Sequence, residues 1–328
     1  MKTTVFGKTG KRVSRLGYGA MGLGGAFGAH DKQEMVNSVI RSLDQGVNFI
    51  DTARNYGDSE HILGIALRAW KGAKPFIASK IQSQGPGNLG WGQPIDVNIA
   101  FPRGWLREST EISLKLLGVE TIDLMQLHQY WPQWDEADYW IDELLQLKHE
   151  GKIGALGVSL PDHRHDIALP LIQSGKIDAI QTVVNIFDPL ALDCLVPICQ
   201  QHQVAVIARC ILDEGGLTGF LREDTVFGDG DFRKSFFDYM PRHVYIDRVQ
   251  KLKEAYVPKY ASSLAELAIK FVLHHSGITT AISSMHIPQY ADENIAAATA
   301  EPLPDEVFEQ IRRHHRWVRN FFETKYWI

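Results

Sequence analysis

Four side chains able to share one proton stand at the ends of apolar runs: Asp51, Tyr56, Lys80 and His128. A phenol has an ordinary pKa near 10 and is a poor acid at neutral pH. A neighbouring ammonium favours phenolate and lowers that value. A carboxylate paired with the ammonium keeps it charged and in place. A shift of about two to three pH units requires roughly 3–4 kcal/mol, within reach of one close, partly desolvated cation. A histidine beside them would orient a carbonyl or assist the proton. Such a placed acid is worth roughly 10²–10⁴-fold in rate. Each residue alone has a plainer reading: Asp51 as a helix cap, Tyr56 as packing, Lys80 as a solvated charge, His128 as a structurally bonded histidine. Those readings would have to coincide on consecutive strand ends.

The elements that must position these groups can be read along the chain. Apolar runs lie near Val13–Gly19, Val47–Ile50, Pro75–Ser79, Ile122–Leu127, Ile153–Val158, Ala179–Val183, Val204–Ala208 and Ile278–Ile282. They are continuously apolar, as parallel strands buried on both faces must be. Between them the spacing predicts helices over Asp31–Gln45, Ser59–Trp70, Arg103–Leu117, Trp140–His149, His163–Ser174, Ala191–Gln201, His243–Tyr256 and Leu264–His274, with one more over Pro304–Phe322. Strands alternating with helices imply a parallel sheet. About eight such units without a composition break predict a single α/β domain over residues 1–328, a (β/α)8 TIM barrel with an extra C-terminal helix. A doubly wound sheet is the alternative. In a barrel the C-terminal strand ends carry function. Polar residues follow almost every run there: Ser159, Gln181 within the sixth, Arg209, Ser283 and Ser284. Two long loops, Gln82–Pro102 and Ile211–Arg242, would be functional or mobile.

The composition narrows the class of function. The 328 residues are 45% hydrophobic and 22% charged, with a net charge of −5, which argues against nucleic acid or an anionic membrane as the main partner. No apolar run is long enough to span a bilayer, and the N-terminal stretch lacks the apolar core of a signal peptide. Three cysteines without a C-x-x-C pair fit a reducing compartment, so a cytoplasmic location is expected.

The segment Asn48-Phe49-Ile50-Asp51-Thr52-Ala53-Arg54-Asn55-Tyr56-Gly57 resembles the aldo-keto reductase stretch containing the catalytic Asp and Tyr. Ile77-Ala78-Ser79-Lys80 and Ile122-Asp123-Leu124-Met125-Gln126-Leu127-His128 resemble the strands bearing that family's catalytic Lys and His. Gly154-Ala155-Leu156-Gly157-Val158-Ser159 and Gln181 resemble its carboxamide-binding positions. Gly215-Gly216-Leu217-Thr218-Gly219 resembles its cofactor-covering loop, and Glu293-Asn294 its adenine-binding pair. The likeness covers nearly the whole chain in order. It implies reduction of a carbonyl, or the reverse, by hydride from a nicotinamide cofactor, with Tyr56 as acid, Lys80 and Asp51 tuning it, and His128 orienting the substrate. The implied cofactor-binding residues are Gly19, Ala20, Met21, Asp51, Ser159, Gln181, Arg209, Leu212, Gly215, Leu217, Ser283, His286, Glu293 and Asn294.

Four positions depart from the family pattern. Leu160 stands where the family has Asn. Arg209 stands where an aromatic often stacks on the nicotinamide, a task open to a flat guanidinium. Ser283-Ser284-Met285 replaces a Gly-containing run. His286 replaces the basic residue that meets the 2′-phosphate, and a neutral imidazole holds phosphate less well than Arg. NADP is the expectation, with NAD the alternative. Gly17-Tyr18-Gly19-Ala20-Met21-Gly22 matches the dinucleotide fingerprint, but the next helix begins only near Asp31, so the run reads as a barrel-mouth loop. His163 and His165, in an H-x-H pair, read as solvated rather than metal-bound, and no metal is expected. Tyr130, Trp131 and Trp134 would either wall a substrate pocket with Trp91 and Phe27 or pack their loop onto the barrel. Two other functions compete: a cofactor-binding regulatory subunit with little turnover, and a metal-dependent hydrolase using Asp51 and His128 as ligands.

Overall fold

The computed structural model describes residues 1–84, 95–136, 139–238 and 241–317. Ten strands are present among them. β1 (Thr3–Val5) and β2 (Arg12–Ser14) form an antiparallel hairpin. The other eight close into a parallel barrel: β3 (Leu16–Gly19), β4 (Phe49–Asp51), β5 (Phe76–Gln82), β6 (Leu124–His128), β7 (Leu156–Ser159), β8 (Ala179–Val183), β9 (Ala205–Arg209) and β10 (Thr280–Ser284). They follow chain order, and β10 returns to pair with β3. The apolar runs are strands for the reason given: nearly every residue in them is buried. The expected barrel is therefore observed.

The helices pack around it: α1 (Lys32–Asp44), α2 (Ser59–Ala69), α3 (Val97–Ala100), α4 (Trp105–Leu117), α5 (Tyr139–His149), α6 (Leu169–Gln173), α7 (Leu190–Gln201), α8 (Arg233–Phe237), α9 (Arg242–Tyr256), α10 (Leu264–His274), α11 (Pro288–Thr299) and α12 (Asp305–His314). Local chemistry sets their ends. Asp31 caps α1 by accepting from the Glu34 amide at 2.8 Å, and Gly46, at φ +85°, releases the chain after it. Met35, Val36, Val39 and Leu43 form the buried stripe of α1.

Several elements differ from the spacing, and the helix expected over Pro304–Phe322 ends at His314 among the described residues. The first apolar run divides at Arg15, whose guanidinium bonds the carbonyls of Leu273 and His275. Its first half pairs within the hairpin, and only Leu16–Gly19 joins the barrel. The helix expected from His163 begins as a tight 3₁₀ turn at His165 and becomes α-helical only over Leu169–Gln173, because His163 takes φ +58°. Helix α11 was not anticipated; its buried face is Ala291, Asn294, Ile295 and Ala297, small or polar at three of four positions, which writes a weak periodicity.

The hairpin plugs the N-terminal mouth. Phe6, fully buried, packs its ring 4.7 Å from Phe76 and 5.9 Å from Phe49. The opposite rim is left for the polar strand ends. Among the described residues no helix is long and apolar enough to cross a membrane.

Candidate active site

Strand register brings the four residues together. Asp51 ends β4, Lys80 lies within β5 and His128 ends β6. Tyr56 follows in the loop after β4. That loop is stapled to β5: the amides of Thr52 and Arg54 donate to the carbonyls of Ala78 and Lys80 at 2.9 and 3.1 Å. The buried carboxylate of Glu60 accepts from Arg54 at 2.7 Å and from the Ser79 hydroxyl at 2.7 Å. The glycine-rich run after β3 packs on the same loop. A Cβ at Gly24 would lie 1.9 Å from the Tyr56 carbonyl oxygen, so only glycine fits.

Lys80 is fully buried, and all three ammonium hydrogens are used. Nζ donates to Asp51 Oδ1, to the Thr52 carbonyl at 3.0 Å and to Tyr56 Oη at 3.3 Å. The other Asp51 oxygen accepts from Gln181 Nε2 at 2.7 Å and from Gln126 Nε2 at 3.4 Å. Because Lys80 fills one lone pair of the phenol, the Tyr56 O–H points elsewhere. The Tyr56 and His128 rings meet edge to face, with centroids 5.8 Å apart, and His128 Nδ1 lies 3.1 Å from Asn55 Oδ1.

These contacts set protonation. Burial works against the Lys80 ammonium, yet Asp51 and Tyr56 outweigh it and raise its pKa. Burial, then the cations of Lys80 and Arg209, hold His128 well below the usual imidazole range, so it is neutral. Tyr56 corrects the expectation. Burial raises its pKa, Lys80 opposes this, Asp51 adds to it, and the net direction is up. Desolvation of the phenolate outweighs the pull of a lysine whose charge is shared with Asp51.

The remaining candidates line the same rim. Ser159 ends β7, and among the described residues its hydroxyl and the Gln181 Oε1 engage no protein group. Arg209, at the end of β9, leans onto the loop after β7, where Nη2 donates to the Leu160 carbonyl at 2.9 Å and to Asp162 at 2.5 Å. The loop bearing Leu212, Gly215 and Leu217 is anchored at Asp213, which accepts from Tyr245 Oη at 2.7 Å and Asn185 Nδ2 at 3.3 Å. A Cβ at Gly216 would meet that Tyr245 oxygen at 2.0 Å. Gly19 ends β3, and Ala20 and Met21 open the 3₁₀ turn after it. Ser283 Oγ accepts from Asn294 Nδ2 at 3.0 Å, which ties the middle of α11 to β10, while Glu293 stands exposed.

His286 is buried. Its Nδ1 meets Ser284 Oγ at 2.9 Å, its Nε2 meets His30 Nε2 at 3.1 Å, and Phe27 stacks on it at 5.6 Å. Phe27 thus stands on the β10 side of the rim. Tyr130 donates to Asp135 within its own loop at 2.7 Å, and Trp134 donates to the Ile95 carbonyl at 2.8 Å, which ties this loop to the one before α3. Trp131 beside them is 6% exposed. Trp91 lies outside the described residues. Sequence reasoning missed Gln126, Asn55 and Glu60. Only the polar character of Gln126 within an apolar strand hinted at one of them.

Burial, with help from His30 and Arg233, lowers the His286 pKa from 6.5 to about 4. The unfolded chain takes up this proton first as pH falls. The stability contribution is therefore complete above pH 6.5 and lost on descent to about pH 4. Urea unfolding at pH 7.5 and 4.5 is expected to show this loss, up to about 3 kcal/mol, and the His286→Asn variant should lack it. An equal pH dependence in both proteins would refute it.

The sequence profile of the Aldo/keto reductase family matches residues 15–316. An NADH-specific methylglyoxal reductase of Escherichia coli (strain K12) is 29% identical over 311 residues, covering 90% of this chain and 93% of its own. An L-galactose dehydrogenase of Arabidopsis thaliana is 26% identical over 304 residues, covering 89% and 86%. Among solved structures, a glycerol dehydrogenase from Gluconobacter oxydans is 27% identical, covers 93% of both chains and superposes with a TM-score of 0.73.

Proposed function

The chain belongs to the aldo/keto reductase family, and on that premise we propose that it reduces a small carbonyl compound to an alcohol with a nicotinamide cofactor, Tyr56 serving as the acid. The observation that carries this reading is the Lys80 ammonium, fully buried, bonded at once to Asp51 and to the Tyr56 hydroxyl. When bound, the cofactor supplies the hydride. The residues at the rim fit such a group. Ser159 and Gln181 Oε1 offer hydrogen-bonding atoms at the strand ends, as a carboxamide requires.

The chain's own part is the proton and the alignment. As the carbonyl carbon accepts hydride, its oxygen takes the proton from Tyr56 Oη. Lys80, kept charged by Asp51, stabilises the phenolate left behind. Neutral His128 orients the oxygen. Gln181 and Gln126 hold the Asp51 carboxylate so that the lysine stays on the tyrosine.

The adenosine end favours NADH over the NADP first expected from sequence. His286 is buried and neutral and already occupied by Ser284, His30 and Phe27, which makes it a poor partner for a 2′-phosphate. The E. coli relative is named as NADH-specific, in line with this reading.

The test is a fluorescence titration with NADH and NADPH separately, followed by turnover on small carbonyls, methylglyoxal first. Tight NADH binding with turnover supports the proposal. Tighter binding of NADPH would overturn the cofactor preference alone. Binding without turnover on any carbonyl would point to a cofactor-binding regulatory subunit.

A further inference from the structure

Arg209 is the last residue of β9, aligned with Val183 of β8 in the parallel ladder. Its side chain reaches past β8 to the loop after β7. There Nη2 donates to the Leu160 carbonyl at 2.9 Å and to Asp162 Oδ1 at 2.5 Å, while Nη1 donates to the Cys210 thiol at 3.2 Å. Leu160 directly follows Ser159, and Ser159 is aligned with Gln181. The guanidinium therefore borders the two residues that fit a carboxamide. Its charge also reaches across the barrel mouth, where it acts on both Tyr56 and His128.

The pair with Asp162 is neutral in sum but lopsided. The Asp162 side chain is 38% exposed and that of Arg209 14%, so water screens the carboxylate more than the cation. Lys80 and Arg209 are the charges that shift His128, and Asp162 is not among them. Glu214, bonded by the Cys210 thiol at 3.0 Å, offers little compensation, because burial pushes its carboxyl up towards the neutral form. The mouth thus faces the positive end of the pair.

An oxidised nicotinamide ring carries a positive charge that the reduced ring lacks. A cation beside the ring penalises the oxidised form and spares the reduced one. An aromatic side chain in the same place has the opposite preference, since its π face attracts a cation. We propose that Arg209 makes the site select the reduced cofactor over the oxidised one, so that NADH is captured in the presence of NAD⁺ and NAD⁺ is released readily after turnover. The inference rests on the nicotinamide-dependent function proposed above.

The experiment is calorimetric titration of the full chain with NADH and NAD⁺, and in parallel with NADPH and NADP⁺, for the wild type, Arg209→Gln, Arg209→Lys and Asp162→Asn. The wild type is expected to bind the reduced form at least about 10-fold more tightly than the oxidised form. Arg209→Gln should shrink that ratio about 10-fold, chiefly through tighter binding of the oxidised form. Arg209→Lys keeps the charge without the fork and should keep the ratio. Asp162→Asn removes the opposing carboxylate and should widen it. A ratio unchanged in both Arg209→Gln and Asp162→Asn would overturn the proposal. So would a ratio lost equally in Arg209→Gln and Arg209→Lys, which would assign the effect to packing. Equal binding of both forms by the wild type would overturn this inference alone. Binding of neither would overturn the proposed function and this inference with it.

Discussion

Tyr56→Phe is expected to bind NADH as the wild type does and to lose about 10³-fold or more in kcat. The substitution removes one oxygen. It leaves the ring, its edge contact with His128 and the staple beneath the loop in place. What disappears is the proton delivered to the carbonyl oxygen, worth roughly 10²–10⁴-fold. Cofactor quenching and single-turnover kinetics on the same sample separate the two effects. Retained turnover would remove Tyr56 from the acid role and leave His128 as the nearest other donor. The upward pKa direction adds a second expectation. A phenol held above its ordinary value of 10.0 keeps its proton throughout the neutral range, so the reduction rate should not decline between pH 7 and 9 through this group. In the oxidative direction the same shift is a hindrance, because a base must first give up that proton.

Lys80→Met should have the largest effect on the molecule as a whole. It abolishes the link between Asp51 and Tyr56, and it leaves the Asp51 carboxylate buried without a counter-charge. Breaking such a pair costs about 3–5 kcal/mol. For a domain of this size that corresponds to a fall of roughly 10 °C in Tm, and turnover should vanish with it. Adding Asp51→Asn should separate the two losses. The double variant no longer buries a lone charge, so it should recover several degrees of Tm while remaining inactive. Calorimetry and kinetics on the wild type, the single and the double variant provide the check. A single variant with wild-type Tm would mean that Gln181 and Gln126 alone satisfy Asp51, contrary to the reading of the pair as a mutually dependent unit.

Asp51, Tyr56, Lys80 and His128 were legible because each follows or interrupts an apolar run, and a parallel strand buried on both faces leaves little doubt about where it ends. Alternating runs and helices also implied a closed sheet, and closure places every strand end on one rim. Helix α11 escaped because small and polar residues on its buried face write a weak period, and the 3₁₀ turn at His165 escaped because a positive φ at His163 has no signature in residue type.

Residue types and their order by themselves determined the barrel, the rim and the chemistry available there. What only the tertiary structure decided were the partners. Gln126 and Gln181 meet on one oxygen of Asp51 from strands β6 and β8, more than fifty residues apart in the chain. His286 met His30 and Phe27 and became a neutral core residue, where its position in the sequence had offered it to a phosphate. The sign of the Tyr56 shift also needed the fold. It is a difference between desolvation and a nearby charge, and both depend on depth and distance, which spacing along a chain does not encode.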